Sequence, residues 1–221
     1  MDDPTLDPRA HARALAGLAR LNRLSAAERV LLPPVLDLAK RLGRPPTVLD
    51  VATGSADVPL RLHRAARRAG VALRLIGADV SATALERARA RADAARIELE
   101  LHRADALSAP LPRADVVACS LFLHHLTDAD AGRLLARMAE TADHLVLASD
   151  LRRCAWGGAL TRVVPRLVTR SRVVHTDAVL SARAAFTVPE LRVIAADAGL
   201  DGVRVRPRFP ARMLLEWHRA R

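Results

Sequence analysis

Two rhythms of apolar positions alternate along this chain. Val48, Leu49 and Val51 form a short apolar run that suits a strand covered on both faces, whereas Val58, Leu62, Ala65, Ala66 and Ala69 recur at the spacing of one helix face. Between them, Ala52-Thr53-Gly54-Ser55-Ala56 is a turn with little side-chain bulk, and Pro59 falls where a first helical turn accepts it. A strand from Thr47 thus leads through a small-residue turn into a helix over Asp57 to Ala69. The alternation then repeats. A second strand covers Leu73 to Val80, a helix with Ser81 as N-cap covers Ala82 to Ala95, and further strands cover Ile97 to His102, Asp115 to Ser120 and His144 to Asp150.

Helices are expected on either side of this core. Pro8 to Leu24 and Ser25 to Leu42 read as two, the second opened by the capping box Ser25-Ala26-Ala27-Glu28, and Pro45-Pro46 is a stiff link into the first strand. After Asp150 the chain makes an excursion, Leu151 to Phe186. Thr187-Val188-Pro189-Glu190 then joins a capping box to a first-turn proline and starts a helix ending near Gly199. Val203 to Arg206 and Met213 to Trp217 read as a closing hairpin. This order of elements predicts an α/β fold whose ligand lies beyond the carboxyl ends of the strands.

Acids stand at those ends. Asp50 lies in the first strand beside the turn; Asp79, at the tip of the second, is placed to accept hydrogen bonds from both hydroxyls of a ribose. Asp105 follows the third strand, where a carboxylate can accept an adenine amino group. The segments VLDVATGSADVP, GADVSATALERARA and RADALSAPLPRADVVACSLFLHHLTD, in that order, resemble the successive motifs of class I S-adenosylmethionine-dependent methyltransferases, especially the small-molecule branch that includes quinone-biosynthesis enzymes. SDLRRCAWG and RAAFT are similar, over shorter stretches, to methyltransferases associated with type III polyketide synthases.

The resemblance implies a Rossmann-like seven-stranded sheet, mostly parallel, with helices on both faces and an antiparallel last strand. It implies S-adenosylmethionine as cofactor, with Asp50 and Gly54 flanking the methionine part, Asp79 on the ribose, and Asp105 and Ala106 at the adenine. Ala52, Val80 and Ser120 complete the implied contact set. Family members usually carry glycine where this chain has Ala52 and Ala56, so each position adds a methyl to the turn. Dinucleotide binding is the nearest competitor, but the three glycine positions of its fingerprint fall on Ala52, Gly54 and Asp57. A carboxylate at the helix start repels a diphosphate and tolerates a sulfonium.

Composition narrows the classes further. With 221 residues, 51% of them hydrophobic, the chain suits one compact domain and has no apolar run of bilayer length. MDDPTLDPRA does not read as a secretory signal, and Cys119 and Cys154 give neither a disulfide framework nor metal spacing, so a cytoplasmic protein without a metal is expected. Net charge is +11, yet residues 47–150 hold 13 basic against 14 acidic side chains, while residues 151–221 hold 14 against 5. With 2% aromatics and SLFLHHL in place of an Asn/Asp-Pro-Pro-aromatic sequence, nucleic acid ranks below a small-molecule substrate.

The chain divides into an N-terminal helical cap (1–46), a cofactor-binding core (47–150), a substrate-lid excursion (151–186) and a C-terminal helix and hairpin (187–221). The excursion sets Arg152, Arg153, Arg162, Arg166, Arg170, Arg172 and Arg183 against one acid, Asp177, and interleaves Trp156, Leu160, Val163, Val164, Leu167 and Val168 as an amphipathic helix. Such a segment suits a hydrophobic, anionic substrate; a solvated basic face, an anionic membrane or an acidic carrier protein are its other readings. Methyl transfer to a phenolic oxygen needs alignment and a base, because a phenol titrates near 10. His124, His125, His175 and Asp150 are the candidates. The expected function is O-methylation of a phenolic or polyketide-type aromatic, with RNA methylation and non-catalytic cofactor binding as alternatives.

Overall fold

The computed structural model describes residues 27–154 and 172–220. Its centre is one sheet of seven strands: β1 (Thr47–Val51), β2 (Arg74–Asp79), β3 (Glu100–Arg103), β4 (Ala114–Ser120), β5 (Ala142–Leu151), β6 (Arg204–Arg208) and β7 (Arg212–His218). The spatial order is β3-β2-β1-β4-β5-β7-β6. Strands β1 to β5 pair in parallel, and β7 runs antiparallel to both β5 and β6. Successive connections leave β1 in opposite directions, so a crevice opens between the carboxyl ends of β1 and β4.

Six helices cover this sheet: α1 (Ala27–Leu42), α2 (Asp57–Arg68), α3 (Ala82–Ala95), α4 (Asp128–Thr141), α5 (Arg172–Ala184) and α6 (Val188–Asp197) are those among the described residues. Because side chains alternate along each strand, the core splits into two layers. Val48, Leu75, Val116, Leu145 and Leu147 meet Leu31 and Val35 of α1, Leu62 of α2 and Ala88 of α3. Leu49, Val51, Val117, Cys119 and Val146 face the other way, onto Leu134 and Met138 of α4 and Leu191 of α6. Both faces of β1 and β4 are therefore buried, and the continuous apolar runs are the sequence record of that burial.

Caps stop and start the helices where the residues indicate. Ser81 Oγ accepts from the Ala84 N–H at 3.2 Å, and Thr187 and Glu190 form a complete capping box at the start of α6. The last two strands form the expected hairpin, and each begins one residue away from its expected start. The third strand differs more. It begins at Glu100, because α3 ends on Arg96 in the left-handed region and sends Ile97 and Leu99 into the core as a connector. In α2 the buried residues are Pro59, Leu60, Leu62 and Ala66, while Ala69 is exposed as the C-cap. The helix expected over Pro8 to Leu24, Ser25 of the first capping box and the amphipathic stretch from Trp156 to Val168 lie outside the described residues. Among the described residues, no helix is long and apolar enough to cross a membrane.

Candidate functional site

The turn after β1 is held in an unusual backbone path. Ala52, Gly54 and Ala56 have φ of 54°, 56° and 57°, so alternate residues occupy the left-handed region, which L side chains adopt at a cost. Glycine is the usual occupant of such positions, and here two alanines hold the same path. Hydrogen bonds fix it from β2: the Thr53 N–H donates to the Ala78 carbonyl at 3.0 Å, and the Gly54 N–H donates to Asp79 Oδ2 at 2.8 Å. Gly77 makes room for this. A Cβ there would lie 3.0 Å from Thr53 Cγ2, so the missing side chain on β2 admits the turn's threonine.

Asp79 is thus beside Gly54, as the motif order implies. Its other oxygen accepts the Ser81 N–H at 2.9 Å, so each oxygen holds one backbone donor and keeps a lone pair. A Cβ added to Gly54 would meet nothing within 4 Å, which leaves space over the turn open. Val80, next to Asp79, is 64% exposed, an apolar surface at the edge of that space. The Ala104 N–H donates to the Asp79 carbonyl at 3.1 Å and brings the loop after β3 alongside. There the Asp105 carboxylate accepts the Leu107 N–H and the Ser108 hydroxyl, which hold its pKa below the usual range. Ala106 is buried, and its carbonyl accepts Arg137 Nε at 2.7 Å. Asp50 is buried on the α1–α3 side; burial, with the Asp79 charge adding and the Thr53 hydroxyl opposing, pushes its carboxyl up to about 7.

A second cluster lies at the ends of β4 and β5. Leu121 follows β4 with φ 57°, and this left-handed residue turns the chain into a single 3-10 turn, Leu123–His125. Strained non-glycine residues at two neighbouring strand ends mark the crevice. The His124 ring and the Asp150 carboxylate meet there at 2.6 Å, from Nδ1 to Oδ1, with both side chains at most 5% exposed. Asp150 also accepts the Phe122 N–H at 3.0 Å and the Leu151 N–H at 2.6 Å. Burial alone raises a carboxyl's pKa, but the His124 hydrogen bond and charge, the Leu151 N–H and the Arg212 field outweigh it and hold Asp150 below the usual range. Asp150 is therefore ionised, and its carboxylate suits the tautomer of His124 with a proton on Nδ1, the one that presents Nε2 as an acceptor.

The other two histidines stand differently. The His125 ring centroid lies 4.1 Å from that of His124, but His125 is exposed. His175 is half-buried on α5, a helix that packs against the 3-10 turn. Of the excursion arginines, Arg153 pairs with Glu190 of α6, Arg183 is exposed, and Arg162, Arg166 and Arg170 lie outside the described residues. Ser120 ends β4 with its Oγ buried and without a hydrogen-bond partner among the described residues. One buried cation escaped the sequence reading: Arg212, at the start of β7, donates to the Ser149 carbonyl and hydroxyl at 3.2 and 2.9 Å. Its only signal was a charged residue abutting the apolar Met213-Leu214-Leu215.

Comparison with known proteins agrees with this geometry. Residues 48–144 match a family model described as a methyltransferase domain. Among solved structures, an O-methyltransferase family 2 protein from Planctomyces limnophilus, in complex with apigenin, superposes with a TM-score of 0.67 at 19% identity, covering 100% of this chain and 64% of that one. The plantazolicin methyltransferase BamL superposes at 0.69 with 14% identity, covering 94% and 89%. Magnesium protoporphyrin IX methyltransferase from Synechocystis with bound S-adenosylmethionine superposes at 0.58 with 15% identity, covering 99% and 87%. The chain spans 64% and 54% of the lengths of the first two structures it matches. No curated protein matches it in sequence. Residues 48–144 thus match a methyltransferase domain, and the strand order is that of the class I fold these structures share.

Proposed function

We propose that this class I methyltransferase domain transfers a methyl group to an oxygen of a hydrophobic, hydroxylated aromatic molecule, with His124 as the base. The observation that carries the reading is the buried His124–Asp150 pair at the ends of β4 and β5. The cofactor fits the residues at the neighbouring strand ends. The Asp79 carboxylate keeps a lone pair on each oxygen for the two ribose hydroxyls, Val80 offers apolar surface to the adenine, and the space over Gly54 is open to the methionine part. Asp50 and Ser120 flank that part, and Asp105 and Ala106 border the adenine. Ala52 and Ala56 keep the backbone path expected of glycines, which supports a working site over a vestigial one.

When bound, S-adenosylmethionine supplies a methyl group already activated by its sulfonium, so the protein's tasks are alignment and proton removal. Asp150 fixes the tautomer and orientation of His124, Nε2 accepts the proton of the acceptor's hydroxyl, and the buried carboxylate stabilises the imidazolium that forms. His125, exposed at the end of the same turn, and His175, on the helix packed against it, have no part in the proton transfer. Calorimetry with S-adenosylhomocysteine and turnover of a phenolic acceptor test the assignment together. His124→Ala lowers kcat by about 10²- to 10⁴-fold while homocysteine-product binding stays; His125→Ala and His175→Ala stay near wild type; Asp79→Ala weakens product binding. Equal turnover in all three histidine variants removes the base.

A further inference from the structure

Arg212 is a buried charge whose hydrogen bonds are incomplete. Its side chain opens β7 opposite Leu151, the residue is 3% exposed, and one nitrogen, Nη2, makes both bonds to Ser149. Nε and Nη1 are buried without a hydrogen-bond partner among the described residues. Two acids favour its charge through space: Asp150, bonded to His124 at 2.6 Å, and Glu28, which lies 3.5 Å from Arg61 with its own Oε2 buried and without a hydrogen-bond partner among the described residues. A buried guanidinium with two unmade donors is costly, and a bound anion that accepted from them would offset that cost.

A second incomplete group lies on the same row. Ser120 pairs in register with Ser149, and its buried Oγ also has no partner among the described residues. Both serines and Arg212 project from the α1–α3 side at the carboxyl edge, so polar atoms run from the end of β4, across β5, to β7. We propose that Arg212 and Ser149, with Ser120 on the approach, receive a carboxylate carried by the methyl acceptor. The planar fork of a guanidinium matches a carboxylate in a way no hydroxyl does. This inference rests on the methyltransferase reading and specifies the substrate class for that site.

The test uses the full chain saturated with S-adenosylhomocysteine and a matched pair of probes, 6-hydroxy-2-naphthoate and its methyl ester, titrated by calorimetry. The acid binds at least tenfold more tightly than the ester to wild type. Arg212→Met brings that ratio to about one, and Arg212→Lys retains part of it. Ser149→Ala trims a single hydrogen bond and lowers the ratio severalfold, so it decides the question if the arginine variants fail to fold. A wild-type ratio near one, absence of binding by both probes, or a ratio unchanged in Ser149→Ala and Arg212→Met overturns the assignment. Absence of S-adenosylhomocysteine binding to wild type strikes the methyltransferase reading itself, whereas normal product binding with a ratio of one strikes only the carboxylate receptor.

Discussion

Alanine at two left-handed positions of the first turn makes the local conformational cost measurable. At Ala52, glycine relieves the strain without emptying the core, because the residue is only half-buried. Ala52→Gly therefore stabilises the fold by about 1 kcal/mol. Ala56 has the same φ but is fully buried within the α1–α3 layer. Removing its methyl forfeits about 0.8 kcal/mol of burial, so Ala56→Gly comes out near neutral. Urea midpoints of the two variants check the contrast; equal shifts would mean that burial and not backbone strain sets both. Asp50 gives a pH signature of its own. Its folded pKa of about 7 lies above the ordinary carboxyl value, so the native state holds a proton that the unfolded chain has lost. That contribution is complete below about pH 4, declines as pH rises towards 7, and is absent above. Asp50→Asn removes the decline: the wild type loses stability relative to the variant between pH 4 and pH 7, and parallel curves would refute the buried-proton account.

Most elements could be read from the residues because local chemistry and tertiary burial agree in them. Ser81 and the Thr187–Glu190 box start helices by hydrogen bonds within a single turn, and β1 and β4 are apolar throughout because both of their faces are covered. Where long-range contacts decide, the residues say less. Ile97 and Leu99 have strand-like character, yet the left-handed end of α3 at Arg96 makes them a connector. Helix α5 was not read inside the excursion, although Ser171, just before Arg172, is a residue type that caps helix starts. The site divides on the same line. Asp79 and Gly54 follow a local motif and meet at 2.8 Å, but nothing near His124 in the sequence selects it over His125. That choice depends on Asp150, which is 26 residues away along the chain. Arg212 is the extreme case, since its partner Ser149 is 63 residues distant and lies on an antiparallel neighbour.

At the scale of the whole molecule, the basic excess lies outside the segment that carries the proposed cofactor contacts. The domain core from 47 to 150 is near neutral, and the excess of arginine falls in the C-terminal third. Several of those arginines are used internally: Arg153 by Glu190, Arg192 by the Val205 carbonyl, Arg204 by Glu216, Arg219 by the Ala142 carbonyl and Arg212 by Ser149. What remains acts as a general positive field, which attracts polyanions without reading them. On the proposed small-molecule reading, RNA is expected to bind weakly at low salt and to go unmethylated. The expected result is an affinity for a single-stranded homopolymer that falls steeply between about 50 and 200 mM salt, with a slope set by the few phosphates contacted. Affinity for S-adenosylhomocysteine is expected to stay nearly flat over that range, because the contacts proposed at Asp79 and Gly54 are short-range and release no counterions. Radiolabelled methyl from S-adenosylmethionine enters a phenolic acceptor and leaves the RNA unlabelled. Label in the RNA, or an RNA affinity that resists salt, would transfer the acceptor assignment from small aromatics to nucleic acid and give the exposed C-terminal arginines a direct role in substrate binding.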